Sequence, residues 1–89
     1  MTTLKQLRKQ IDRIDHKILQ LLNQRADLAL RVGAVKKKHG HPAFDGRREA
    51  EIVGRLTRAN PGPFSSRSIQ EVFRVILRNS RRLVASAKK

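Results

Sequence analysis

The sequence predicts an all-α fold: three helices per subunit, one long and N-terminal, one short and one of medium length, in an intertwined antiparallel homodimer. Three observations carry that expectation. A heptad-like apolar stripe runs unbroken by proline from Leu4 to Val35, two loops punctuated by glycine and proline follow it, and no segment shows the alternation of a half-buried strand.

The first element follows from counting. Leu4, Leu7, Ile11, Ile14, Ile18, Leu21, Leu28, Val32 and Val35 succeed one another in alternating steps of three and four, with a single interruption at Arg25. Gly33 is the one helix-weakening residue between Leu4 and Lys38, so a single helix of about 35 residues, roughly 50 Å long, is the economical expectation. Globular helices usually run roughly 8 to 20 residues, and this excess length points to a coiled coil or an intertwined oligomer. The segment KKKHGHPAFDG then reads as a loop. A second helix is expected from about Arg47 to Arg58, with Asp45 as N-cap and Ile52, Val53 and Leu56 on its buried face. NPGPF at 60–64 is a stop and turn. The third helix runs from about Ser66 to near the end, with Ile69, Phe73, Ile76, Leu83 and Ala87 at helical spacing, Ser80 on the same stripe, and Ser66 and Ser68 as helix-start residues. The lysines at 36–38 and the terminal pair at 88–89 read as solvated charge.

Composition bounds the function. Eighty-nine residues form one domain, 1–89, whose core is small unless a second copy completes it. The absence of cysteine excludes disulfide scaffolds, thiol nucleophiles and cysteine zinc sites, and suits a reducing compartment. No apolar run approaches the roughly 18 residues of a membrane span, and the N-terminus lacks the apolar core of a secretory signal, so a cytoplasmic protein is expected. Twenty-one Lys and Arg against seven Asp and Glu, a net charge of +14, favour anionic partners. Nucleic acid is disfavoured among them, because three phenylalanines without Tyr or Trp leave little for base stacking and no nucleic-acid motif is present. His39 and His41 share a loop without a third ligand at metal-site spacing, so no metal site is expected. No phosphate-binding glycine loop and no Ser-His-Asp order can be drawn.

The polar residues around the stripe say more. Arg25 lies on it, Arg8 and Lys36 flank it, and Arg48 and Glu49 sit one turn before Ile52 and Val53 on the second helix. Burying one such cation unpaired costs several kcal/mol, and arginine does not deprotonate. Asp12, Asp27, Glu51 and Glu71 fall on outward or intermediate positions, which leaves a small bound anion as the counter-charge. Arg25 and Lys36 are about 16 Å apart along one helix, close enough for long side chains to converge, whereas Arg8 and Lys36 are about 42 Å apart. Arg8 can therefore reach the same anion only from an antiparallel second chain, which makes each site a composite of two subunits. Residue by residue, the alternative is a register device at Arg25 and solvated flanking cations elsewhere.

Taken together, LRKQIDRIDHKILQLLNQR, VGAVKK and FDGRREAEIV resemble the all-helical chorismate mutases, the AroQ class, over essentially the whole chain. That resemblance implies an intertwined dimer catalysing the rearrangement of chorismate to prephenate in aromatic amino acid biosynthesis, without metal or redox cofactor. It implies that Arg25 and the partner's Arg8 grip the substrate carboxylates, and that Lys36 donates to the breaking ether oxygen. Arg48 would support the anionic pocket, Asp45 and Glu49 would hold the substrate hydroxyl, and Ser80 would bond a carboxylate. One position departs from the pattern: the family usually places Gln or Glu, a second donor to the ether oxygen, where this chain has Val84, and the basic run RNSRRLVASAKK around it offers Arg81 or Arg82 as compensation without a spacing that places either in the pocket. The departure leaves room for a slow mutase, for a site completed by a partner such as the aromatic-pathway synthase that NPGPF suggests, and for a noncatalytic binding domain. A lyase acting on isochorismate is the enzymatic alternative on the same scaffold.

Overall fold

The computed structural model describes residues 1–87, so the terminal lysine pair lies outside the described residues. Its three helices are α1 (Leu4–Lys38), α2 (Gly46–Ala59) and α3 (Ser66–Ala87). Each starts on a side-chain cap. Thr3 and Gln6 form a reciprocal capping box on α1: Thr3 Oγ1 accepts from the Gln6 backbone N–H at 3.1 Å, and Gln6 Oε1 accepts from the Thr3 N–H at 2.8 Å. Asp45 caps α2 by accepting from the Arg48 N–H at 3.0 Å. On α3 the cap is Ser65, whose Oγ accepts from the Ser68 N–H at 3.1 Å; the expected starters Ser66 and Ser68 lie inside the first turn.

The end of α1 turns the chain sharply. Gly40 adopts φ +71°, its N–H donates to the Lys37 carbonyl, and the His41 N–H reaches back to the Lys36 carbonyl at 2.8 Å. These paired bonds on a left-handed residue form a Schellman closure, which needs glycine at that position. The three lysines of the last turn complement the helix dipole there. Farther on, Asn60 ties the second loop together, donating through Nδ2 to the Phe64 carbonyl at 2.7 Å and accepting from the Gly62 N–H at 3.1 Å.

Packing centres on α3, which lies against both α2 and α1. Among the described residues of one chain the buried hydrophobic core is only Ile52 and Leu77. The expected α1 stripe is not part of it. Every stripe residue from Leu4 to Val35 is exposed, at 46–63%, and residues 4–24 contact no other element closely enough to lose exposure. The face that α1 turns toward its own chain is the neighbouring one, Ala26, Ala29, Leu30 and Gly33. Small residues there let α3 approach: a Cβ built on Gly33 would stand 2.5 Å from Cγ1 of Val84. Leu83 and Ala87, expected on the buried stripe of α3, are exposed, because that face is centred on Leu77 instead.

The Gly33 contact yields a testable stability effect. Replacing Gly33 by Ala adds about 1 kcal/mol of helix propensity, but it drives a methyl into a β-branched side chain with little rotameric freedom, at a cost of roughly 1–3 kcal/mol. Gly33→Ala is expected to lower the urea midpoint, and the second change Val84→Ala is expected to recover part of the loss.

Candidate functional site

A cavity of ≈ 500 Å³ lies between the C-terminal half of α1, the first turns of α2, the loop joining them, and the last turns of α3. Its α1 wall presents Arg25, Ala29, Val32, Gly33 and Lys36. At about 100° of rotation per residue, the eleven residues from Arg25 to Lys36 bring the side chain back to within about 20° of the same direction, so both cations face the cavity. Both are half-buried, unlike their solvated neighbours Lys37 and Lys38.

The carboxylates and the remaining cations arrive from α2 and α3. Asp45, Arg48 and Glu49 line the cavity from the start of α2; Ser80, Arg81 and Val84 line it from α3. Arg25 donates from Nη1 to Ser80 Oγ at 3.2 Å, and the Ser80 hydroxyl donates to the Ile76 carbonyl at 2.9 Å. Ser80 thus commits its proton to its own helix and offers Arg25 a lone pair, which aims the guanidinium across the cavity. The Asp45 side chain is committed to capping.

Two ion pairs differ from the sequence expectation that the acids of α2 leave the cavity cations unmatched. Arg48 Nη1 pairs with Glu51 Oε1 at 2.8 Å, one turn along α2, with both side chains more than half exposed. Glu49 Oε2 meets Arg81 Nε at 3.1 Å in a less exposed setting, with the Glu49 side chain only 22% accessible. The Arg81 guanidinium carbon also stands 4.8 Å from the centre of the Phe44 ring, a cation–π contact with the loop. Counting the lining, Arg25, Lys36, Arg48 and Arg81 against Asp45 and Glu49 leave a net charge of +2 inside a largely apolar wall that includes Leu28, Val32, Ile52 and Leu77. Such a cavity suits a compact, partly apolar molecule with two negative charges.

Of the residues singled out from the sequence, Arg25, Lys36, Asp45, Arg48, Glu49, Ser80 and Val84 all line this cavity, and Arg8 does not. Arg8 is exposed on α1, seventeen residues before Arg25, which is about 26 Å away and about 100° around the axis. Arg81 and Phe44 are among the lining residues that the sequence stripes do not pass through. The signal for Arg81 was the step from Leu77 to Arg81 to Val84, four then three, which the stripe drawn through Ile76, Ser80 and Leu83 passed over. His39 and His41 stay exposed, with rings 6.3 Å apart. No group of three metal-ligating side chains is found among the described residues.

Comparison with known proteins bears on what such a cavity holds. The sequence pattern of the chorismate mutase type II family matches residues 7–85. A bifunctional chorismate mutase/prephenate dehydratase of Aquifex aeolicus is 43% identical over 81 residues, covering 86% of this chain and 22% of that protein. A chorismate mutase of Methanocaldococcus jannaschii is 43% identical over 53 residues, covering 60% of this chain and 54% of that one. Among solved structures, chorismate mutase form II from Thermus thermophilus superposes with a TM-score of 0.90 at 36% identity, covering 92% of this chain and 93% of the other. The chain thus spans about a fifth of the length of the bifunctional relative.

Proposed function

The chain belongs to the chorismate mutase type II family, and from that premise we propose that residues 1–89 form one domain that converts chorismate to prephenate in the cavity between its helices. The observation that carries the proposal is the net +2 lining built on rigid helices around a partly apolar space. The rearrangement is unimolecular: a C–O bond breaks as a C–C bond forms, with no external nucleophile. Catalysis then consists of holding the dianion in its compact conformer and meeting the negative charge that grows on the ether oxygen.

In this scheme Arg25, steadied by Ser80, takes one substrate carboxylate through its planar fork. Lys36, from the same face of α1, donates to the ether oxygen. Glu49, with the Asp45 backbone beside it, accepts from the substrate hydroxyl, and Arg48 leaves Glu51 to complete the anion-binding wall. The second carboxylate falls to Arg8 of an antiparallel partner. The exposed α1 ridge supports that dimer, since the stripe from Leu4 to Val35 is too long and too apolar to be left in water. The expected compartment is the cytoplasm; no helix among the described residues is long and apolar enough to cross a membrane. The pairing of a mutase with a prephenate dehydratase in the Aquifex aeolicus relative supports a role next to another enzyme of aromatic amino acid synthesis.

Val84 favours a second reading, a domain that binds chorismate or prephenate and turns over slowly by itself. Its side chain is taken up by the Gly33 contact and offers no donor. The loss of chorismate absorbance on adding purified protein, with and without a candidate synthase, separates the two readings.

Three outcomes are expected. Arg25→Ala weakens binding of a transition-state analogue roughly a hundredfold, as loss of a charge-assisted bidentate contact does; altered oligomerisation with binding spared would instead make Arg25 a register device. Val84→Gln, which keeps one γ-carbon at the Gly33 notch, raises kcat/KM on the order of tenfold, less than the 10²–10³ of an oxyanion donor in a fully enclosed site. Mixing inactive Arg8→Ala and Arg25→Ala subunits restores about a quarter of wild-type activity, because about half of the dimers are then mixed and each holds one intact composite site. A mixture that stays inactive while subunits demonstrably exchange rules the shared site out.

A further inference from the structure

We propose that Arg81 contacts the bound dianion directly and is the cation through which α3 serves this site in place of the donor that Val84 lacks. The assignment rests on the proposed mutase function and extends it to a residue that the resemblance to the family did not supply. Three features carry it. Val84 is absorbed in the contact between helices, its Cγ1 filling the space a Cβ on Gly33 would need, so the α3 wall has no donor at that position. Arg81, three residues earlier, lines the same cavity, and residues three apart share a helix face. Its guanidinium is already held at the mouth between Glu49 and the Phe44 ring, so little side-chain freedom remains to be lost on binding.

The donor count leaves room for a ligand. A guanidinium carries five N–H bonds, and the Glu49 contact is made through Nε, which leaves the two terminal nitrogens to face an anion entering the cavity. Arg81 also strengthens the positive field of the cavity. It raises the lining contributed by one chain from +1 to +2, to which the partner's Arg8 adds one more charge in the proposed dimer. Arg82, its neighbour, is exposed and does not line the cavity, so the basic run RNSRRL contributes one cation to the site and the others to solvent. The Arg81 side chain is 45% accessible, so water screens part of its effect, and a loss of about tenfold is expected rather than the 10²–10³ of a fully enclosed donor.

The test must separate direct contact from an effect exerted through Glu49. Chorismate turnover and binding of a bicyclic dicarboxylate analogue of the transition state are measured for the wild type, Arg81→Ala, Arg81→Gln, Arg81→Lys, Glu49→Gln and the double variant Glu49→Gln/Arg81→Ala, with helicity checked by circular dichroism and Arg82→Ala as control. The expected result is a loss of about tenfold from Arg81→Ala and Arg81→Gln, partial recovery with lysine, no change at Arg82, and a similar further loss when Arg81 is removed from the Glu49→Gln background. If Arg81→Ala is without effect in that background, Arg81 acts only by neutralising Glu49 and the proposal is wrong. Wild-type activity with unaffected Arg81 variants also overturns it while leaving the mutase function standing. A wild type that neither binds the analogue nor consumes chorismate overturns both.

Discussion

Like charges do not collect around an apolar cleft unless the backbone holds them there. Arg25, Lys36, Arg48 and Arg81 come from three helices and face one space that also contains Leu28, Val32, Ile52 and Leu77. Each guanidinium has found a partner that restrains it: Ser80 for Arg25, Glu51 for Arg48, Glu49 for Arg81. Preorganisation of this kind transfers the cost of gathering cations from the moment of ligand binding to the folding of the chain. Caps, glycine notches and loop closures matter here because they fix the angles at which those side chains meet.

The same requirement accounts for the division of labour along α1. Its C-terminal half carries two adjacent faces, one of small residues, Ala26, Ala29 and Gly33, that admits α3, and one of larger apolar residues that remains bare in the single chain. Arg25 stands where the two meet. A side chain at that border can be aimed by its own subunit's α3 and still face whatever covers the ridge. The N-terminal half is exposed throughout, residues 4–24 included, and no other described element covers it.

Much of this is legible in the sequence itself. The bounds of α1 and α2 fall within one residue of those expected from the stripe, the Asp45 cap and the two loops, because local chemistry sets helix ends. Seven of the eight expected site residues share the cavity, since helical spacing places Arg25 with Lys36 and sets both Arg48 and Glu49 one turn before Ile52. Periodicity, however, names a face without naming what meets it. The strongest stripe in the sequence is therefore not the one that builds the core of the single chain. No spacing places Arg81 in the cavity for a related reason: α3 carries apolar residues at both 76 and 77, and a face centred on Ile76 is rotated away from Arg81. The ion pairs of Glu49 and Glu51 depend on side-chain reach between turns and between helices, which sequence spacing does not resolve.

The uninterrupted course of α1 imposes one more condition. Between Arg8 and Arg25 there are neither bends nor loops to absorb a change in residue number. One residue inserted or deleted there would swing everything before it by about 100° relative to everything after it. Exposed side chains along this rod can drift in identity over evolutionary time, but in the proposed dimer the tally of residues between Arg8 and Arg25 is locked, as teeth are on a gear.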